Sequence, residues 1–498
     1  MIPRRTVLAA LALLPTAVRA QAAALRPEDF GAKGDGRTDD TLAFQAAGRL
    51  LSERGGGTLV LRRGATYRVG RQARGDGKTA AYLAQPMLRI THVDGLVIQG
   101  NGATLRLNDG LHYGSFDPAT GRRFDPPRGK FTDPRYAATV GALIELRDAR
   151  DVRISDVVLD GNMRGLIVGG RWNVDIQLHA DGLQLIDVSG VVIERVHARD
   201  NGLDGIYLRG RARTAGAAPD AIALREVRCT GNGRQGVSVV GGAGIRFTAC
   251  TFADTGQGKV SSAPGAGVDI EPNGRDMAAD LAFDRCTFVN NRGVGLLAAE
   301  GASHAIAARD CTFWQGFDPR AGATHGSGDA FWLTKPGVRI ERCRVHGTVT
   351  NLHPTAQVRA SAFDDAVHPR LGRSGRRRPY LVASAAGTFS DCTVTVGGPA
   401  RGMVYATTGL TLRRCVLRYA GSGLSPRRPV AFFGAGVTLE NVTFAEAPTV
   451  QGALFIHAGR PVLKGRVTVT GPHVRWGGPT GRTGNVAVSA PAGSAPRP

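Results

Sequence analysis

Lysine is scarce in this 498-residue chain: six residues against 57 arginines, within a basic total of 63 that exceeds the 41 acids and leaves a net charge of +22. Aromatic residues are few at 6 %, so the core must be built mainly from aliphatic and small side chains. No stretch reaches the 18 apolar residues needed to cross a bilayer as a helix. There is no CxxC pair and no clustered Cys/His spacing, so zinc-type metal sites are not expected. Glycine is abundant at 69 residues but follows no strict triplet, which excludes collagen. An apolar content of 42 % excludes disorder throughout.

Residues 1–20 read as an export leader: Arg4-Arg5, then Thr6, the apolar run Val7 to Leu14, and small residues near Ala20. The paired arginines resemble a twin-arginine signal. Cleavage would remove Arg4, Arg5 and Arg19 and no acid, leaving about +19 on an exported, periplasmic or extracellular protein. Strong basicity points to an anionic partner, and export makes nucleic acid a poor candidate. An acidic polysaccharide fits both, with no membrane span.

The chain is repetitive. Segments such as VRISDVVLDGN, VVIERVHARDN, LAFDRCTFVNN, VRIERCRVHGT and LTLRRCVLRYA recur along it. Their alignment places Val157, Val196, Cys229, Cys250, Cys286, Cys311, Cys343, Cys392, Cys415 and Val442 in one column, with Ser361 a candidate for a weaker turn. All seven cysteines thus read as small buried apolar residues rather than disulfide partners. Short alternating segments with a period near 22–25 residues describe a solenoid in which each coil buries its inward face against its neighbours. Asn201, Asn232 and Asn291 fall at equivalent turns, where asparagine tolerates left-handed backbone. The expected fold is all-β: a single-stranded, right-handed parallel β-helix. Ahead of the coils, Leu42, Phe44, Ala46, Ala47, Leu50 and Leu51 are spaced as an amphipathic helix, with Asp39 or Asp40 as N-cap and Gly55 as stop. Such a helix covers an open solenoid end. The organisation expected is a cap over residues 21–70, coils over 71–475 with loop insertions at 108–137 and 366–380, and a flexible tail over 476–498.

The stretch DFGAKGDGRTDDTLAFQAA, followed by GGGTLVL, resembles the N-terminal signature of the pectate lyase and polygalacturonase superfamily. The coil pattern extends this resemblance to about residue 470. It implies a pectin-lyase-like solenoid and an extracellular, polysaccharide-active protein: a lyase, hydrolase or epimerase, or a phage tailspike. The NTD, DD, GHG and RIK motifs of polygalacturonase-type hydrolases are not at the expected strand positions. The Asp-rich calcium cluster of calcium-dependent pectate lyases is not evident either. No catalytic set carries over, no cofactor is called for, and calcium is left open.

The strands DGLQLI, DGIYLR, QGVSVV, AGVDIE, VGLLAA and DAFWLT align on a small residue. Alternation then turns Leu183, Ile206, Val237, Val268, Leu296 and Phe331 inward and Gln184, Tyr207, Ser238, Asp269, Leu297 and Trp332 outward. Arg209 and Glu271 fall in a second outward column, while Asp204, Arg234 and Gln235 sit at the strand edge. Asp269 and Glu271, about 7 Å apart at the backbone, suit the acid and base of an inverting glycosidase, which stand about 6.5–9.5 Å apart. Glu271 pairing with Arg209 or Arg275 is the plain alternative. The candidate catalytic residues are Asp269, Glu271, Tyr207 and Asp204; the candidate substrate-binding residues are Arg209, Arg234, Gln235, Ser238, Trp332 and Lys335. Asp204 and Asp329 also read as turn formers, and His179, His325 and His346 have no distinguishing spacing. The expected reaction is β-elimination on a uronate-containing polysaccharide, with Arg209, Arg234 or Lys335 neutralising the carboxylate and Tyr207 as base or donor. Carboxylate-driven hydrolysis and non-catalytic binding are the alternatives, and a monomer is the default.

Overall fold

The computed structural model describes Ala23 to Ser489, apart from residue 77, segments 126–132, 173–176, 316–328, 367–379, 384–385, 398–401, 421–428 and 448–453, residue 472, and segment 478–486. The export leader, His325, nearly all of the 366–380 insertion and the last nine residues lie outside the described residues.

Parallel pairing of each coil with the next runs from Gly57–Val60 against Leu96–Gln99 to Arg466–Thr468 against Ala487–Ser489. The solenoid therefore begins inside the expected cap and continues past residue 475. At its far end Val488 pairs in register with Val467. The helix Thr41–Glu53 covers the open end with Phe44, Ala47 and Leu51 buried. Leu42, expected on that face, is exposed. Asp40 is the N-cap residue, but its carboxylate accepts from the backbone of Lys33 (2.6 Å) and Gly34 (3.0 Å) rather than from the helix. Asp39 accepts from the Thr41 backbone instead (3.1 Å).

All seven cysteines are free and buried. Pairing register places Val157, Val196, Val227, Cys250, Cys286, Cys311, Cys343, Ser361, Cys392, Cys415 and Val442 at successive equivalent sites. Cys229 stands apart from this column: it pairs with Phe252, two residues along, and Val227 takes the expected place. Every column residue from Val157 on, Val227 included, follows a residue with positive φ, such as Arg195, Glu226, Arg285 or Arg414, that bends the chain into the next side of the coil. Beside the column, Phe252, Phe288 and Phe313 stack at 5.1 and 4.6 Å between ring centres, so like residues fill like places in successive coils.

The asparagine turns differ from expectation. The left-handed residue is the one before, namely Asp200, Gly231 or Asn290. Asn201, Asn232 and Asn291 are themselves buried and bind between coils. Asn201 Nδ2 donates to Asn232 Oδ1 (2.9 Å), Asn232 Nδ2 to the Ala198 carbonyl (3.3 Å) and Asn291 Nδ2 to the Phe252 carbonyl (3.1 Å). A ladder of this kind satisfies the polar groups that a buried corner would otherwise orphan. One face of the solenoid, built on strands Ala180–Glu194, Asp204–Gly210, Gln235–Val239, Ala266–Ile270, Leu296–Ala298 and Asp329–Leu333, carries the candidate residues.

Candidate active site

Register on this face is the one the alternation predicts. Arg89, Glu145, Gln184, Tyr207, Ser238, Asp269, Leu297 and Trp332 follow one another coil by coil. Ile206, Val237, Val268, Leu296 and Phe331 line the interior behind them and are fully buried. The outward column is far from uniformly exposed, however: Gln184, Ser238 and Asp269 are closed off from water.

A second polar column lies at the leading edge of the same strands. Asp181, Asp204 and Gln235 occupy equivalent positions, each followed by glycine and each buried. A Cβ on Gly205 would stand 2.6 Å from the Gly236 carbonyl oxygen, so the coil can pass so closely only without a side chain there. Burial of these groups has a purpose beyond turn formation, because they converge on the outward column. Gln235 Nε2 donates to Asp269 Oδ2 (2.5 Å) and Asp181 Oδ1 accepts from the Asp204 backbone (3.1 Å). Arg234, 12 % exposed, lies 3.9 Å from Asp204 Oδ2 and 3.2 Å from Glu271 Oε2.

The electrostatics of this cluster are set by water exclusion. Burial raises the Asp204 pKa to about 8 against the pull of Arg234, with Asp181 adding to the rise. Burial also raises Asp269 well above the ordinary carboxylate range, and the charge of neighbouring Glu271 adds to the shift. Burial opposes the charge on Arg234, but the surrounding acids outweigh it and hold the guanidinium charged. Several buried polar atoms here have no partner among the described residues: Asp204 Oδ1, Arg234 Nε, Gln235 Oε1 and Ser238 Oγ. Such a concentration of unmet hydrogen-bonding capacity is what a ligand site leaves open.

His179 and Asp181 complete the site and were not singled out by sequence spacing. His179 Nδ1 lies 3.1 Å from buried Asp181 Oδ2 and 2.8 Å from Gln184 Nε2. Burial lowers the His179 pKa, but the Asp181 hydrogen bond and the charges of Asp181, Asp204 and Glu145 together outweigh it, and the net shift is upward. The ring meets Tyr207 edge to face at 6.2 Å. The signal that could have revealed this edge is the repeated Asp-Gly step, Asp181-Gly182 and Asp204-Gly205.

Other expected residues fall elsewhere. Arg209 lies 3.5 Å from Asp187 and 3.4 Å from Asp276 rather than beside Glu271, and its charge acts on Tyr207. Glu271 pairs with Arg234 instead. Asp269, in the outward column, lies one residue before the strand stops at Ile270, and Glu271 follows just beyond the strand end. Trp332 stands two coils beyond Asp269, about 10 Å along the axis, and Lys335 lies in the turn after it. Asp329 is buried and accepts from Thr348 and Thr350 hydroxyls. A cavity of about 450 Å³ opens above the cluster, lined by Arg234, Asp269, Glu271, Asn273, Leu297 and Glu300 among others. None of the described helices is long and apolar enough to cross a membrane.

Residues 142–345 match the family model described as the right handed beta helix region. Depolymerase 1 of Klebsiella phage KN3-1, specific for capsule KN3, is 29 % identical over 180 residues, or 36 % of this chain. The match spans 18 % of that protein, less than a fifth of its length. The N-terminal fragment of bacteriophage Phi29 gene product 12 superposes with a TM-score of 0.52 at 15 % identity, covering 93 % of this chain and 70 % of that one. The A-module of the Azotobacter vinelandii mannuronan C-5 epimerase AlgE4 gives a TM-score of 0.41 at 16 % identity, covering 91 % and 100 %. The resemblance to right-handed parallel β-helix proteins read from the sequence holds at the level of fold.

Proposed function

We propose that this chain is a polysaccharide depolymerase that hydrolyses glycosidic bonds outside the cytoplasm, with Asp269 as the general acid. The observation that carries this reading is a buried carboxyl, its pKa raised by burial, in the wall of an open cavity beside the carboxyl of Glu271. A glycosidase needs a division of roles: a neutral acid to protonate the leaving oxygen and an ionised partner to activate water. Glu271 and Glu300 are the carboxylates that share the cavity and supply the second role. Gln235 fixes Asp269, and Arg234 neutralises Glu271. The local likeness to a phage capsule depolymerase supports a polysaccharide substrate, as does the leader expected over residues 1–20.

One observation favours a second reading, β-elimination. His179, held by buried Asp181 and meeting the half-buried Tyr207 ring, is the kind of pair that removes a proton and protonates a leaving oxygen. Product chemistry separates the two. The protein is incubated with acidic and neutral polysaccharides, capsular and exopolysaccharides included, while reducing ends and the ultraviolet absorbance of unsaturated uronate ends are followed. Hydrolysis gives reducing ends without absorbance, abolished in Asp269→Asn. Absorbance that disappears in His179→Asn establishes elimination instead. Binding without any product overturns both and leaves a binding β-helix.

A further inference from the structure

Many arginines on the solenoid surface are matched by carboxylates. Arg195 pairs with Asp156, Arg246 with Asp280, Arg342 with Asp310 and Arg414 with Asp391, each reaching across one coil. The high net charge is therefore not a uniform coat available to any anion. One concentration of cations lies beside the candidate active site. A second cavity, of about 500 Å³, adjoins the acidic one, and the two share Ala263 and Pro264 as a common rim.

Its lining includes Arg123, which is paired with Asp125 at 3.0 Å, together with Arg171, Lys259 and Arg292, and no carboxylate is part of the lining. Lys259 Nζ is turned toward two backbone carbonyls, Leu166 at 2.7 Å and Arg164 at 3.2 Å. Arg292 binds the Ser261 hydroxyl. Among the described residues neither cation has a carboxylate within salt-bridge distance. The Ser262 hydroxyl on the same wall is buried and unpartnered. Trp172 forms a further wall, its ring set edge to face against Tyr113 at 5.0 Å. Cations, an unused hydroxyl and an indole around a site-sized hollow are what an anionic ring requires: charge for its acidic group and an apolar surface for its ring.

We propose that this cleft binds an anionic sugar unit of the same chain whose glycosidic bond lies over Asp269, so that the two cavities are neighbouring subsites across the Ala263–Pro264 rim. The acidic cavity repels an anionic unit and the basic cleft attracts one, which fixes the register of a chain in which only some units are charged. This inference rests on the hydrolytic reading for the position of the cleaved bond. It does not rest on it for binding.

The test uses full-length Asp269→Asn protein and calorimetric titration with three probes: an oligogalacturonate, an oligomannuronate and a sulfated galactan oligosaccharide, each beside its neutral counterpart. At least one anionic probe is expected to bind about tenfold or more tightly than its neutral partner. Arg292→Gln, added to the same protein, removes most of that advantage while leaving the neutral probe unchanged, and added salt does the same. The preferred probe tells carboxylate from sulfate. The proposal is overturned if no anionic probe outbinds its neutral counterpart, or if Arg292→Gln weakens both equally. Wild-type protein that hydrolyses charged and neutralised chains at equal rates defeats the cleft and spares the hydrolase. Charge-dependent binding without any hydrolysis defeats the hydrolase and spares the cleft.

Discussion

Asp220 and Asp269 are carboxyls almost equally shut away from water, one in a corner of the solenoid and one on its candidate catalytic face. In the corner, Asp220 Oδ1 accepts from the backbone of Arg211 (2.7 Å) and Ala212 (2.9 Å), and Oδ2 from that of Ala243 (2.9 Å). Buried Asp160 is similarly met, by Arg106 (2.8 Å), Arg199 (2.9 Å) and the Asn162 backbone (2.8 Å). Around Asp269 the donors are too few: Gln235 supplies one bond, Arg234 is drawn to Glu271, and neighbouring polar atoms go unmatched. Burial alone therefore does not mark function in a β-helix. Burial without matching donors does, because the cost of desolvating the charge then falls on the proton equilibrium.

Substitution of each carboxyl separates these roles most sharply. Asp269→Asn should lower turnover by a hundredfold or more, on the order of 10²–10⁴ for loss of a general acid, with no fall in the denaturation midpoint at pH 7. Asp220→Ala should do the reverse. Stranding three buried backbone donors costs about 3 kcal/mol or more, read from denaturant unfolding, while turnover per folded molecule is kept. Loss of stability in both variants, or in neither, would dissolve the distinction.

Asp204 sharpens the comparison through pH. Its folded pKa, about 8, lies above the 3.8 of an ordinary aspartate. Between these values the folded protein holds a proton that the unfolded chain has released. Stability from this site is thus fully present below pH 4 and is lost as pH rises through 8. Asp204→Asn should flatten that decline in unfolding free energy measured from pH 5 to 8; an unchanged slope would show the group to be ionised throughout. The smallest effect is expected where nothing polar is at stake. Cys286→Val, in a column that elsewhere holds Val196, Val227 and Val442, should change stability by less than about 1 kcal/mol, and reductant should leave the melting temperature unaltered.

The sequence disclosed what repeats and hid what does not. The ladder from Gln184 to Trp332 was legible because alternation in a strand has a fixed period, and a single small residue per coil sets its phase. Cys229 was misplaced by two residues because side chains two apart point the same way, so periodicity cannot choose between them. Asp181 and His179 escaped notice because their role depends on which atoms converge at the strand edge, and a one-dimensional pattern does not record that. The same is true of the basic cleft, whose walls come from residues 123, 171–172, 259–262 and 292. The paired carboxylates were legible because they stand two apart at a strand end, and both line the acidic cavity.

Carbon NMR of protein labelled at the aspartate carboxyl measures whether burial holds the Asp269 pKa above that of an ordinary aspartate. The Asp269 signal is assigned by its absence in Asp269→Asn. It is expected to titrate well above the ordinary carboxylate range. A signal titrating near the 3.8 of an ordinary aspartate would contradict that expectation.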